Sequence, residues 1–300
     1  MQSFSEMARR PVLRLLCSVL VFVCLFVGCG MTGDQPASYF DGAAREAAQA
    51  IDDGDLIRLR SAAGGLEIDA RGRKNMTLLW YAIKGKHYDA VRELVALGSK
   101  VDANGAKPLG TPLYHALVHD PRLLQAMLDG GLSPDHQNDD GTSLLQRAMI
   151  SNSAAEQVEL LVERGANVNS QDSIGGTAFY EALSVNRPDI AIYLLEHGAR
   201  FDTSLTNGVT PAWGLYTSLR DLQPGTARGT VTDIRMENGV LVTRDTTPPP
   251  VSGQDESTNK LRAHFERLRD LMVARGVKWP PEPPESVRAQ RKAQGLEVAE

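Results

Sequence analysis

The middle of the chain alternates apolar and polar residues with the period of short amphipathic helices. Apolar residues three positions apart lie on one helix face, and such pairs recur at Leu79 and Ala82, Leu113 and Ala116, Leu145 and Ala148, and Phe179 and Ala182. A Thr or Ser precedes each pair, where its side-chain oxygen caps the helix start. These capping positions are Thr77, Thr111, Ser143, Thr177 and Thr210, spaced by 34, 32, 34 and 33 residues. The pattern predicts a series of similar helical units.

A glycine follows the second predicted helix of each unit. A helix commonly ends in a left-handed residue, so we expect positive φ angles at Gly98, Gly131, Gly165 and Gly198. One unit of about 33 residues cannot bury its own apolar face. Neighbouring units must therefore stack, and the terminal units need a polar outer side.

Two sequence motifs recur in a fixed relation along this series. The first appears as "LGTPLYHA" at 109–116 and "GGTAFYEA" at 175–182, and the second as "LVERGANVNS" at 161–170 and "LLEHGARFDT" at 194–203. The chain thus resembles the ankyrin repeat. The resemblance implies an all-α ankyrin-repeat solenoid of about six helix-turn-helix units over residues 41–280, which binds another protein.

Both ends of the series depart from the motif. The stretch "AAREAAQAIDDGDLIRLRSAAGG" keeps the spacing but lacks the Thr-Pro-Leu signature, and it is interpreted as a degenerate capping unit. Its Asp52, Asp53 and Asp55 suggest either a cation site or a solvated inter-helix turn, and the turn is favoured because a calcium loop needs more ligands. At the other end, residues 261–279 predict an outer helix.

An insertion over residues 221–260 separates this outer helix from its inner partner at about 210–220. Asn238 and Gly239 lie between two runs rich in Val, Ile and Thr, which predicts a β-hairpin in the last unit with strands at about 231–236 and 240–244. The hairpin either covers the last repeats or contacts a partner. Residues 281–300 are predicted to be a flexible tail.

The N-terminal segment "LLCSVLVFVCLFVGCG" follows Arg9, Arg10 and Arg14, as in a signal peptide. The 19 uncharged residues between Arg14 and Asp34 also allow a short membrane anchor, about 28 Å long as a helix. The stretch "LFVGC" resembles a bacterial lipobox, which implies that Cys29 is acylated. We expect a signal peptide at 1–28, a lipid-anchored tether at 29–40, and a lipoprotein that faces the periplasm. Resemblance to enterobacterial lipoproteins implies that Gly30 after the cysteine favours the outer membrane.

Charge and cysteine content narrow the function classes. Removing residues 1–28 takes away three arginines and one glutamate, so the formal net charge falls from −5 to about −7. An acidic chain without a basic run is a poor candidate for nucleic acid, whose binding requires neutralised phosphates. All three cysteines, Cys17, Cys24 and Cys29, lie at or before the predicted cleavage point, so no disulfide framework is expected.

Catalytic motifs are not found. His115 and His119 have the spacing of a helical metal site, but the glutamate of a zinc peptidase is absent, and ordinary exposed histidines are favoured. The sequence contains no nucleophile elbow, no phosphate-binding glycine loop and no thiol nucleophile. We therefore predict no enzyme activity, no cofactor, no metal and no small-molecule substrate.

The predicted binding surface consists of large residues that follow the buried apolar position of each inner helix. They are Trp80, Tyr81, Tyr114, His115, Gln146, Arg147, Tyr180, Glu181 and Trp213, extended by the loop tips at 104–107, 137–140 and 172–174. Aromatic side chains among adaptable polar ones are typical of interface hot spots. The partner is expected to be an envelope protein. The alternatives are an immunity protein that neutralises a toxin delivered to the periplasm, a structural tether, and a metal-binding or enzymatic protein.

Overall fold

The computed structural model describes residues 35–103, 110–223, 231–237, 240–246 and 256–299. The predicted signal peptide, Cys29, the loop tip at 104–107 and the hairpin turn at 238–239 lie outside these residues.

Six helix pairs follow one another in the described chain. Each pair consists of an inner and an outer helix: α1 Gly42–Asp53 and α2 Leu56–Ala63; α3 Leu78–Gly85 and α4 Tyr88–Ala96; α5 Pro112–His119 and α6 Pro121–Asp129; α7 Leu144–Ala148 and α8 Ala154–Glu163; α9 Ala178–Ser184 and α10 Pro188–Glu196; α11 Pro211–Asp221 and α12 Glu256–Ala274. A last helix, α13 Pro284–Ala293, follows the sixth pair.

The predicted capping residues fix the starts of the inner helices. In α3, α5, α7, α9 and α11 the side-chain oxygen of the capping residue accepts a hydrogen bond from the backbone N–H three residues later, at 3.1–3.3 Å. Ser143 and Gln146 form a reciprocal capping box at α7. The prediction of helix starts at Thr77, Thr111, Ser143, Thr177 and Thr210 is confirmed.

The turns after the outer helices also agree with the sequence pattern. Positive φ angles of 87–101° occur at the four predicted glycines, Gly98, Gly131, Gly165 and Gly198. The inner-helix leucines and Phe179 are almost fully buried, and the alanines three positions later have no exposed surface. The stacked pairs therefore share one continuous apolar core, which a single pair cannot form.

Hydrogen bonds between backbones join successive loops that lead into the inner helices. Ser173 N–H donates to Asp140 at 3.0 Å, and Thr206 N–H donates to Ile174 at 2.9 Å. Together with the buried helix contacts, these bonds join the loops before α7, α9 and α11. We call this series of linked loops the loop edge.

The N-terminal end is closed by residues that the sequence assigns to a tether. Tyr39 and Phe40 are buried, and both rings lie against Tyr81 with centroids 6.1 and 5.8 Å away. Arg73 donates from its backbone N–H to the carbonyl of Tyr39 at 2.7 Å and from its side chain to that of Ala37 at 2.9 Å. The sequence assigns residues 36–40 to the tether at 29–40. In the structure these five residues instead belong to the folded domain, because they cover the apolar end of the first units.

The acidic cluster of the first unit forms an inter-helix turn. Gly54 has a φ of 69° between α1 and α2, Asp55 caps α2 through the Arg58 N–H at 3.0 Å, and Asp53 pairs with Arg58 at 2.9 Å. Asp52 instead accepts a hydrogen bond from Tyr81. Each carboxylate is thus bonded to protein groups around the turn, and the turn interpretation is confirmed.

The C-terminal segment differs from the predicted flexible tail. Helix α13 lies against the loop before α11, where Arg288 donates to the carbonyl of Asn207 at 3.2 Å and Arg291 to the hydroxyl of Ser204 at 3.0 Å. Ala299 N–H donates to Thr206 at 3.0 Å and so extends the loop edge. Arginine–carbonyl bonds order this segment, which has no apolar helical period for sequence reasoning to detect.

Two strands, β1 Val231–Glu237 and β2 Val240–Thr246, form an antiparallel pair in which Val231 lies opposite Thr246 and Glu237 opposite Val240. They interrupt the sixth helix pair between α11 and α12.

Within the described part of the chain, no helix is both long and apolar enough to cross a lipid bilayer.

Candidate partner-binding groove

The inner helices α3, α5, α7, α9 and α11 present one face away from the outer helices, and we call this face the groove. The nine residues predicted to line it do not share one environment. Trp80, Tyr81 and Gln146 are only 1%, 5% and 5% exposed, whereas Tyr114 is 47% exposed. His115, Arg147, Tyr180, Glu181 and Trp213 are partly buried. The groove surface is therefore concentrated on α5, α9 and α11.

Trp80 and Tyr81 belong to the core and do not line the groove. Tyr81 lies under Tyr39 and Phe40 and donates its hydroxyl to Asp52 at 2.8 Å. The indole Nε1 of Trp80 is buried without a hydrogen-bond partner among the described residues. Sequence reasoning missed this burial because residues 36–40, which cover Tyr81, carry no repeat signature.

The two histidines of α5 lie side by side. The ring centroids of His115 and His119 are 4.6 Å apart, and His115 lies edge-on to Trp80 at 5.4 Å. Burial lowers the pKa of His115, the charge of His119 lowers it further, and Asp120 opposes the change. The part of the chain that the structure describes contains no group of three or more His, Cys, Asp or Glu side chains arranged to hold a metal ion.

Gln146 and Arg147 connect α7 to the loop edge. Gln146 donates to Asp172 at 2.8 Å, and Arg147 donates to Asp102 at 2.9 Å. Asp102 also contacts the ring of His136. Burial alone raises the pKa of Asp102, but the hydrogen bonds and charges of Arg147 and His136 outweigh it and hold that pKa below its usual range. Arg147 thus links one unit to another through Asp102. The prediction that it lines the groove as a free side chain is wrong.

The C-terminal half of the groove carries a partly exposed aromatic cluster. Tyr180 and Trp213 were predicted here, and the structure adds Tyr216, 5.5 Å from Trp213, and Trp279, 5.7 Å from Tyr216. Sequence reasoning considered only one or two residues per inner helix, and it therefore missed Tyr216, one helical turn after Trp213. Trp279 lies beyond α12, where no repeat position predicts its direction.

Glu181 lies on α9 beside this cluster. Burial raises the pKa of Glu181, a hydrogen bond with Ser184 opposes the rise, and the negative charge of Asp172 adds to it. Among the described residues, no Lys, Arg or His forms an ion pair with the Glu181 carboxylate. The groove therefore combines partly exposed aromatic rings with an acidic group that lacks a cationic partner in this part of the chain.

A stack of helix pairs with a continuous core and an aromatic face is the architecture of a protein-interaction scaffold. Comparison with known proteins identifies its repeat type. Residues 113–204 match the family model for ankyrin repeats in three copies. The chain contains ankyrin repeats, as the two motifs predict, and the helical solenoid is confirmed. The matched residues do not include the strands β1 and β2.

The relatives share the repeats over part of their length. Ankyrin repeat protein OPG189 of Vaccinia virus (strain Copenhagen) is 28% identical over 144 residues, which are 48% of this chain and 25% of that protein. The chain therefore spans about a quarter of that viral relative. Protein PhlB of Serratia liquefaciens is 29% identical over 186 residues, which are 61% of this chain and 81% of that protein.

Solved ankyrin-repeat structures are also similar to this chain. The ankyrin repeat domain of Bcl-3 is 27% identical with a TM-score of 0.45, and the match covers 58% of this chain and 80% of that domain. An ankyrin repeat domain from Acinetobacter baumannii AYE is 25% identical with a TM-score of 0.44, and the match covers 57% of this chain and 90% of that domain.

Proposed function

We propose that this protein is a lipid-anchored envelope protein that binds another protein through the groove and the neighbouring loop edge. The observation that carries this proposal is the partly exposed aromatic cluster of Tyr180, Trp213, Tyr216 and Trp279, together with the exposed Tyr114 on the same face of α5. Partly exposed aromatic side chains on a rigid scaffold are the usual anchors of protein interfaces. Ankyrin repeats typically act as such scaffolds.

Site-specific photo-crosslinking in the native host tests the binding surface. A photoreactive phenylalanine analogue at Tyr114 reports on the groove, and the same analogue at Ile57 reports on α2, an outer helix where that side chain is 83% exposed. We expect one defined adduct from Tyr114 and none from Ile57. Equal adducts from both positions, or an adduct from Ile57 alone, contradict the groove as the binding surface.

The anchor is proposed from residues 15–30, where the apolar segment ends in Gly28, Cys29 and Gly30. Cys29→Ala should abolish incorporation of labelled palmitate and leave an uncleaved precursor of higher apparent mass. An unlabelled parent protein that migrates like the variant excludes the lipoprotein and favours an uncleaved anchor. The immunity alternative is distinguished by the adduct, because it requires the crosslinked partner to be a toxin.

The strand pair is proposed as a second contact surface, since insertions in solenoids commonly map to the binding face. Deleting residues 231–246 separates its two roles. Retained crosslinking from Tyr114 in a folded deletion variant means that the strands only cover the last unit. Loss of the adduct from a variant with unchanged helical content assigns partner contact to the insertion.

A further inference from the structure

Gly214 occupies an unusual position within the groove. It lies four residues after the capping Thr210, which corresponds to Arg147 in α7 and to Glu181 in α9. Glycine is disfavoured relative to alanine in a helix interior because it loses more conformational freedom on folding. The row of groove side chains is therefore interrupted at a residue that weakens its own helix.

The packing around Gly214 does not require a glycine. A Cβ atom there would meet only Cε2 of Tyr180, at 3.8 Å, which is an ordinary van der Waals contact. Gly214 is also not among the glycines with positive φ, so its backbone does not demand one. The missing side chain leaves an open space with the Tyr180 ring in its wall. Trp213 directly precedes Gly214 in the chain.

The charges on and just before α9, the helix that carries Tyr180, favour a positively charged occupant of this space. The Glu181 carboxylate, next to Tyr180, has no cationic partner among the described residues, and Asp172 adds a second negative charge. The arginines on or beside the surrounding helices are engaged elsewhere. Arg147 pairs with Asp102, Arg187 with Asp189, and Arg220 with Asp221.

We propose that the space over Gly214 beside Tyr180 receives an arginine side chain of the partner protein, with Trp213 and Glu181 on the same two helices, α11 and α9. A guanidinium group stacks on aromatic rings and forms paired hydrogen bonds with a carboxylate, so it complements both features of the site. A Cβ at position 214 would stand in the space that the guanidinium plane enters. This inference rests on the proposed function and specifies one side chain that the groove recognises.

Tryptophan fluorescence of the purified full-length protein in detergent tests the site. The chain has three tryptophans, and Trp80 is buried, so Trp213 and Trp279 report on ligand binding. The probe is a capped five-residue peptide with one central arginine among glycines, and its matched control carries uncharged citrulline. At about 0.15 M salt, which screens long-range charge, we expect saturable quenching with a Kd on the order of 1 mM for the arginine peptide.

Three comparisons decide the outcome. The citrulline peptide should bind at least about tenfold more weakly, and Glu181→Gln should lower the affinity for the arginine peptide by about tenfold. Gly214→Ala should weaken binding while raising the Tm by roughly 1–4 °C, so lost binding cannot be attributed to unfolding. Equal binding of both peptides, or unchanged binding by the two variants, overturns the arginine site.

Crosslinking separates this inference from the proposed function. If the Tyr114 adduct forms equally in the parent, Glu181→Gln and Gly214→Ala proteins, the groove binds a partner but the arginine site is wrong. If Tyr114 gives no adduct in the parent while the arginine peptide still binds in a Glu181-dependent manner, the side-chain site stands and the groove proposal fails.

Discussion

At the scale of single residues, the capping hydroxyls show how a short polar side chain sets the geometry of a whole unit. Thr177 is almost fully buried, yet its oxygen is satisfied because it accepts the N–H of Tyr180 at 3.2 Å. Without the hydroxyl, a backbone donor at the start of α9 loses its partner in a region that water does not reach easily.

Thr177→Ala should therefore lower the free energy of unfolding by about 1 kcal/mol. The Tm should fall by roughly 2–4 °C in a chain of this size. Thr177→Ser retains the oxygen and serves as the matched control, with a smaller loss. Equal destabilisation by the two variants would show that the lost methyl contacts, and not the cap, determine the effect.

Among single residues, Asp102 gives the clearest reason for the free energy of unfolding to depend on pH. Because Arg147 and His136 hold its pKa below the usual range, the carboxylate contributes stability above its unfolded pKa near 3.8, and this contribution is lost as the pH falls through the lower folded value. Asp102→Asn should cost about 1 kcal/mol at pH 7, with allowance for solvent screening of a partly exposed pair. Urea midpoints of the two proteins should converge below about pH 3.8. A constant difference across this range would show that the charge of Asp102 is not responsible.

The residue positions of the groove were predictable, but their directions were not. The period of 32–34 residues correctly places Tyr114, Tyr180 and Trp213 at equivalent positions. Whether such a residue faces solvent depends on neighbours distant in sequence. Tyr81 is covered by Phe40, and Arg147 is held by Asp102, 45 residues earlier. A single repeat unit contains no information about these contacts.

At the scale of helices, two glycines have opposite effects on stability. Gly198 has a φ of 90°, and a Cβ there would meet nothing within 4 Å, so the positive φ alone favours glycine at this position. Gly214 has an ordinary helical environment with room for a methyl group. The same residue type therefore stabilises a turn at one site and weakens a helix at the other.

Gly198→Val should destabilise the protein by roughly 1–2 kcal/mol or more, because a β-branched residue strongly disfavours positive φ. Gly198→Asn is the control, since asparagine tolerates the left-handed region better. Thermal unfolding of the purified proteins measures both effects. Equal melting temperatures for the parent and the valine variant would contradict the left-handed turn.

A buried glutamine compensates for the break between α5 and α6. The carbonyl of Leu117 has no helical partner, because the N–H four residues later would belong to Pro121, after an extended Asp120. Gln157 of α8 supplies the missing donor with its side-chain amide at 2.9 Å. The next unit thus completes the hydrogen bonding of α5.

Gln157→Met keeps a similar volume but removes this donor, so it should cost about 1–3 kcal/mol by leaving a buried carbonyl unpaired. Gln125→Met is the matched control, because within the described residues the Gln125 amide donates only to Asp129 of its own helix. Chemical denaturation compares the two variants. A similar, small effect at both positions would show that the Leu117 carbonyl finds another donor.

The repeat units after the first could be predicted because each has a capped inner helix, an apolar face and a glycine after its outer helix. Helix α13 lacks these signals, since it is mostly polar and is held by Arg288 and Arg291 bonds to backbone carbonyls of a distant loop. Such a helix depends on a surface that exists only after the repeats have stacked, and sequence periodicity cannot identify it.

At the scale of the whole molecule, the stability of a repeat solenoid depends on how its two ends are closed. The N-terminal end is closed by the aromatic residues Tyr39 and Phe40. At the C-terminal end, α13 and Ala299 cover the last loop of the loop edge by polar contacts. Opening this polar closure should affect the neighbouring unit first, because each unit contacts only its neighbours.

Truncation after residue 283 tests this local coupling. The loop at 204–207 would lose the bonds from Arg288, Arg291 and Ala299, so the Thr206 amide, which donates to Ile174, should exchange with solvent about tenfold faster or more. The Ser173 amide, one unit earlier, should keep its protection because its acceptor is Asp140. Arg288→Ala with Arg291→Ala should shift Thr206 exchange in the same direction by less, since Ala299 still donates. Unchanged exchange at Thr206 in the truncated protein would show that the loop edge keeps its hydrogen bonds without the C-terminal segment. Faster exchange at both amides would show that the loop edge opens cooperatively and not unit by unit.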